Sequence, residues 1–207
     1  MNRLHRWYCK SGHWKRTVEG QILPWALHGI DLGESVLEVG PGPGVTTDWL
    51  RYRAKYVECL EIDHALAASL ERRFSASNVI VRCGDATKMP YEDGHFASVV
   101  SFTMLHHLPT PDLQDRFFNE AYRVLRPGGI FAGVDSLPSF LMSIFHIRDT
   151  LTLVVPNTIT QRLTSAGFAG VRVGVGQDRF RFSARRPLDP ASQMTQNPWA
   201  AIDSQTS

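Results

Sequence analysis

From Ser35 onward, short apolar runs rich in Val and Ile alternate with stretches whose apolar residues recur every three or four positions. The first rhythm belongs to buried strands and the second to amphipathic helices, so their alternation predicts βαβ units and a parallel sheet. Strands are expected at Ser35–Val39, Lys55–Glu61, Val79–Arg82, Ala97–Phe102 and Ile130–Asp135. Between them, Asp63 can cap a helix on which Leu66, Leu70 and Phe74 share a face. Thr110 and Pro111 offer a cap and a first-turn proline to a helix whose apolar face is Leu113, Phe117, Ala121 and Val124. Arg126-Pro127-Gly128-Gly129 then predicts the turn that ends it.

Past Asp135 the rhythm changes. Residues 136–156 are apolar but carry Pro138 and Pro156, which predicts an insertion that covers something. A helix over Thr158–Ala166 should end at Gly167, followed by two closely spaced strands, Val171–Val175 and Arg179–Ala184, as an antiparallel hairpin. There Phe180 and Phe182 alternate with Arg179 and Arg181, one face inward and one outward. Residues 3–28 read as one or two helices broken near Pro24. The expected organisation is one α/β domain over 1–186 with a helical cap at 1–30, then a disordered tail at 187–207, rich in Pro, Ser, Gln and Thr.

Composition narrows the classes. At 207 residues the chain suits a single domain with a substantial core. Lys plus Arg is 22 against 20 for Asp plus Glu, a smaller basic excess than a dedicated nucleic-acid binder carries. Cys9, Cys59 and Cys83 are scattered without CxxC spacing, which argues against a disulfide framework or a zinc site, and no metal is expected. The longest apolar stretch, Leu137 to Ile147, is too short to cross a bilayer. With nothing like a signal peptide near the start, a cytoplasmic location is expected.

The sharpest chemical signal is Val36-Leu37-Glu38-Val39-Gly40-Pro41-Gly42-Pro43-Gly44, a buried strand running into a glycine-rich turn and then a helix. Glycines let a ligand approach the backbone, and the helix start offers free N–H groups. A dinucleotide loop would place its third glycine at position 45, which is Val45, whereas the third glycine here is Gly44. Glu38 at the strand end would repel a pyrophosphate and attract an ammonium, so the loop favours S-adenosylmethionine over a nicotinamide dinucleotide. Glu61, at the end of the second strand, can accept both ribose hydroxyls, with Ile62 against the adenine face. Asp85, after the third strand, can accept from an exocyclic amine. Each acid alone also fits a cap or turn, but three at successive strand ends point to one ligand.

With Leu105-His106-His107-Leu108 and Val124-Leu125-Arg126-Pro127-Gly128-Gly129 added in order, the stretch 35–135 resembles class I S-adenosylmethionine-dependent methyltransferases. It is most similar to the small-molecule group that includes the ubiquinone/menaquinone-biosynthesis type. The resemblance implies a Rossmann-like three-layer sandwich whose seven-stranded, mostly parallel sheet has the order 3-2-1-4-5-7-6. It also implies that the methionine moiety meets Glu38, Gly40 and the chain near Phe102 and Thr103. Glu61 would then hold the ribose, and Asp85 with Ala86 the adenine. Gly42 and Gly44 complete the loop. Glu61-Ile62-Asp63 also looks like the rRNA adenine dimethyltransferases, but Ser101-Phe102-Thr103-Met104-Leu105 departs from their Asn/Asp-Pro-Pro-Tyr motif.

Methyl transfer demands alignment and exclusion of water, and a base only when the acceptor arrives protonated. His106 and His107 follow the fourth strand and are the candidate bases, with structural packing as the blander reading. Asp135 and His146 are weaker candidates. Residues 3–16 interleave Arg3, Arg6, Lys10, Lys15 and Arg16 with Trp7, Tyr8 and Trp14, which suits a helix laid over the ligand site. The expected activity is therefore methyl transfer to a small, hydrophobic acceptor. The rivals are a non-catalytic binder of the same donor, and an RNA methyltransferase using that basic segment. Peripheral membrane contact is a further use open to the segment, and the sequence carries no sign of oligomeric state.

Overall fold

The computed structural model describes residues 11–138 and 150–189. Most of the basic segment, the centre of the 136–156 insertion with His146, and nearly all of the tail lie outside the described residues.

Seven strands form one sheet in the order β3-β2-β1-β4-β5-β7-β6. They are β1 (Ser35–Val39), β2 (Tyr56–Glu61), β3 (Val79–Cys83), β4 (Phe96–Phe102), β5 (Leu125–Ser136), β6 (Ala169–Val175) and β7 (Arg179–Arg185). The first five are parallel, and β7 runs antiparallel between β5 and β6. This is the Rossmann-like arrangement expected, with the order reversing between β1 and β4. At such a switch point a crevice opens beyond the strands' carboxyl ends. All seven residues of β4 are buried, as a strand covered on both faces requires.

Helices cover the two faces. On one side lie α1 (Gly12–Thr17), α2 (Leu23–Ala26), α3 (Val45–Leu50) and α4 (His64–Phe74), enclosing a core that includes Val18, Ile22, Leu50, Leu70, Val100 and Val134. On the other lie α5 (Pro111–Val124) and α6 (Pro156–Ser165), over an aromatic cluster of Phe117, Phe118, Phe131, Phe168 and Phe182. Each such ring contributes about 1.5–3 kcal/mol through burial.

The caps form as the sequence suggests. Asp63 Oδ1 accepts from the Ala65 and Leu66 amides at 2.9 and 3.1 Å, and Thr110 Oγ1 from the Leu113 amide at 3.2 Å. Two local expectations change. Pro24 does not break the first helical segment; a π-turn over Val18–Ile22 precedes it and keeps α1 and α2 continuous. A wider turn absorbs the missing donor and the ring clash that proline brings to a helix. The Pro-Gly-Gly stretch after α5 is a bulge inside β5 rather than a separate turn, since Phe96 pairs with Leu125 and Ser98 with Ile130.

Candidate functional site

A cavity of about 430 Å3 opens at the carboxyl edge, over the switch point between β1 and β4. Its size is that of a small-molecule site. Of the residues singled out from the sequence, Gly40, Gly42, Glu61, Ile62, Asp85, Ala86, Phe102, Thr103 and His107 line it. Glu38, Gly44 and His106 stand behind that wall.

The glycine loop is tied to β2. Gly42 N–H donates to Glu61 Oε2 and Asp63 N–H to Glu61 Oε1, both at 3.0 Å. Burial pushes the Glu61 carboxyl up, against the lowering effect of these amides. Each of its oxygens keeps a further lone pair for a hydroxyl donor. A β-carbon on Gly42 would meet no heavy atom within 4 Å, so the loop's surface is open to a ligand there. Asp85 does turn work as well as lining the cavity, since the Thr87 amide donates to its Oδ1 at 2.8 Å. The blander reading of Asp85 and its ligand reading therefore coexist.

Glu38 points into the base of α3. It accepts from Thr46 Oγ1, and from Thr47 Oγ1 at 2.6 Å. Its carboxyl is raised chiefly by desolvation, with Thr46, Thr47 and Cys59 opposing through hydrogen bonds. Thr46 itself lines the cavity, so Glu38 reaches the ligand space through that hydroxyl.

Thr103 has φ 53°, the one described non-glycine residue in the left-handed region. For a β-branched side chain this is a strained conformation, and such strain collects at ligand sites. Beyond it, a 3₁₀ turn (Leu105–His107) presents His107 to the cavity. His106 turns inward, its Nδ1 2.5 Å from Asp135 Oδ1, with both side chains buried. Asp135 also accepts from the His106 amide at 3.2 Å and the Ser136 amide at 2.6 Å. The carboxylate so fixes Nδ1 as the protonated nitrogen of that ring. The two imidazoles pack with centroids 4.3 Å apart.

The lining of the cavity is chemically mixed: Glu61, Asp63 and Asp85 are acidic, while Trp14, Val18, Ile22, Met104, Leu108 and Leu113 are apolar. No Lys or Arg occurs among the described lining residues, a setting that attracts a cation and repels a pyrophosphate. The donor set thus fits a sulfonium-bearing nucleoside. Among the described residues no three His, Cys, Asp or Glu side chains are grouped to hold a metal ion.

Several wall residues escaped the sequence reading. Val18 and Ile22 carried a signal, four positions apart beside Trp14, but Thr46 carried none. Gln114 is a further omission. Almost fully buried in α5, it donates to Leu105 O at 3.2 Å and Thr152 O at 2.9 Å, and accepts from Arg162 Nη1 at 2.9 Å. It joins the His107 turn to the 150–154 segment. Its place three residues before Phe117 on the buried face was the available clue.

Comparison with known proteins agrees with this geometry. Residues 37–133 match the family model described as a methyltransferase domain. A probable S-adenosylmethionine-dependent methyltransferase of Mycolicibacterium smegmatis is 32% identical over 66% of this chain and 52% of its own length. A fatty-acid O-methyltransferase of the same organism is 32% identical over 52% of this chain and 39% of its own length. A ribosomal RNA small subunit methyltransferase A of Aromatoleum aromaticum is 34% identical over 40% and 34%. The chain spans about half or less of the length of these curated relatives. A solved protein of Pyrococcus horikoshii superposes with a TM-score of 0.74 at 17% identity, covering 90% of this chain and 99% of that one.

Proposed function

We propose, on the premise that residues 37–133 make up a class I S-adenosylmethionine-dependent methyltransferase domain, that the protein methylates a small, apolar acceptor. The observation that carries the reading is a lining that sets the Glu61, Asp63 and Asp85 carboxylates among apolar side chains, with no Lys or Arg among the described lining residues. S-adenosylmethionine supplies an electrophilic methyl group. Glu61 accepts hydrogen bonds from the ribose hydroxyls, Asp85 and the Ala86 region bind the adenine, and Ile62 covers its face. Gly40, Gly42, Phe102 and Thr103 surround the methionine end, while Gly44 turns the chain behind them. Glu38 acts there through Thr46.

On the acceptor side, Trp14, Met104 and Leu113 exclude water, which favours displacement over side reactions. His107, which lines the cavity, would take a proton from a hydroxyl or amine acceptor. The His106–Asp135 pair holds the ring packed against it, so His106 positions rather than reacts. The fatty-acid O-methyltransferase relative supports an apolar acceptor. An RNA acceptor is the second reading, supported by the ribosomal RNA relative.

Calorimetry with S-adenosylmethionine tests the premise. Wild type should bind, and Glu61→Ala should lose about 10- to 100-fold in affinity, as expected for removing hydrogen bonds to a charged group. Wild-type protein that fails to bind would overturn the reading. Label transferred from the donor into an organic extract, rather than into RNA, would then separate the two acceptor classes.

A further inference from the structure

Unlike Gly42, which is open to the cavity, Gly40 is overlaid by a side chain. A β-carbon built on Gly40 would fall 2.3 Å from Met104 Cγ, 3.1 Å from Met104 Cβ and 3.7 Å from Met104 Sδ. Met104 thus lies across the face of Gly40 on which a side chain would stand, and only a glycine lets the two meet. Both residues line the cavity, and Met104 is only 9% exposed.

The backbone on either side fixes Met104 in that place. Before it, the left-handed Thr103 turns the chain sharply out of β4, and the Thr103 amide donates to Val134 O of β5 at 2.8 Å. After it, the His107 amide donates to Met104 O at 2.9 Å and closes the 3₁₀ turn. Met104 therefore bridges the glycine loop, which its side chain touches, and the turn that presents His107. Among the described lining residues it is the apolar side chain that belongs to that turn and also packs on a loop glycine. Its unbranched thioether carries no charge and fills an irregular gap closely.

We propose that Met104 sets the size of the sulfonium alkyl group that the cavity admits, taking methyl and refusing larger substituents. The inference rests on the donor reading above, in which the methionine arm runs along Gly40 and Thr103 and the acceptor meets His107. On that reading the group to be transferred is delivered past Met104. The acids supply no such limit, because Glu61 and Asp85 serve the ribose and the adenine, which donors bearing methyl and ethyl groups share. A packed apolar wall does supply one. An extra methylene has to displace packed atoms, and in an apolar pocket a difference of one methylene is worth about 10- to 200-fold.

Calorimetry of the full chain with S-adenosylmethionine and with S-adenosylethionine, which carries one further methylene on sulfur, tests the limit. Wild type should bind S-adenosylethionine at least about tenfold more weakly. Met104→Ala should narrow that gap to about threefold or less, whereas Met104→Leu, close to methionine in volume, should keep it. Thermal melts check that each variant is folded. Met104→Val, a smaller truncation, should narrow the gap part of the way and serves where the alanine variant unfolds. Equal affinity of wild type for the two donors would overturn the proposal. So would a gap that the truncations leave unchanged, including one preserved while both donors weaken alike. Binding of neither donor by wild type is a separate outcome, which overturns the donor reading and this inference with it.

Discussion

A β-carbon at Gly44 would fall 2.5 Å from Leu70 Cδ2, whereas one at Gly42 would meet nothing within 4 Å. Both glycines have positive φ, 80° and 55°, so alanine at either carries a backbone penalty of about 1–2 kcal/mol. Gly44→Ala adds overpacking against α4 and should lose about 2–4 kcal/mol in urea denaturation. Gly42→Ala should show the backbone penalty alone, yet weaken S-adenosylmethionine at least about tenfold by putting a methyl group into the ligand's space. Glu38 allows a test by pH. Burial raises its carboxyl from the ordinary 4.5, so its contribution to stability is fully present below that value and is lost as pH rises through the folded pKa. Thermal melts of ligand-free Glu38→Gln should accordingly fall less between about pH 4.5 and neutrality than those of wild type. An identical slope would remove Glu38 as the cause. Sequence located Glu38 beside the loop because it ends a strand, but not its direction. The two threonines that capture it lie eight and nine residues away, on a helix whose rotation no periodicity in so short a segment reveals.

At the level of elements, strands were legible to within a residue or two wherever apolar runs are bounded by turn residues, as in β1 and β7. Boundaries slipped where one residue type serves two structures. Pro127-Gly128-Gly129 announces a turn, yet two β5 segments pair with β4 on either side of it. Pro24 announces a break, yet the π-turn absorbs it. Gln114 was passed over for a different reason. A lone amide on an apolar helix face looks like a pattern error until its three partners, brought from distant segments, are seen. Gln114→Ala should leave those partners unsatisfied, lowering stability by about 1–3 kcal/mol. Because it joins the His107 turn to the 150–154 segment, turnover should fall while donor affinity stays close to wild type. Parallel loss of both, in calorimetry and initial rates, would show that the contact serves the whole fold instead.

Across the whole molecule, the alternation of strand and helix carried the architecture, and of the three acids at successive strand ends Glu61 and Asp85 line the cavity while Glu38 stands behind it. The balance of 22 basic to 20 acidic residues says nothing of where the charges lie: on the outer hairpin Arg172 and Arg185 are exposed, while Arg179 is ion-paired with Asp178. Since the cavity joins β1, β2 and β4 to the first helical segment, occupancy should stabilise the molecule as a unit. At about 100 times the dissociation constant, S-adenosylmethionine should add about 2.7 kcal/mol and raise the melting temperature by about 5–10 °C. A shift confined to one of two transitions would show that the helical segment melts separately. The hydrogen bond from Gly42 to Glu61 has a further consequence. It latches the glycine loop to the second strand across 19 residues of chain through groups of the chain itself. That contact lowers the entropic cost of ordering the loop around a ligand.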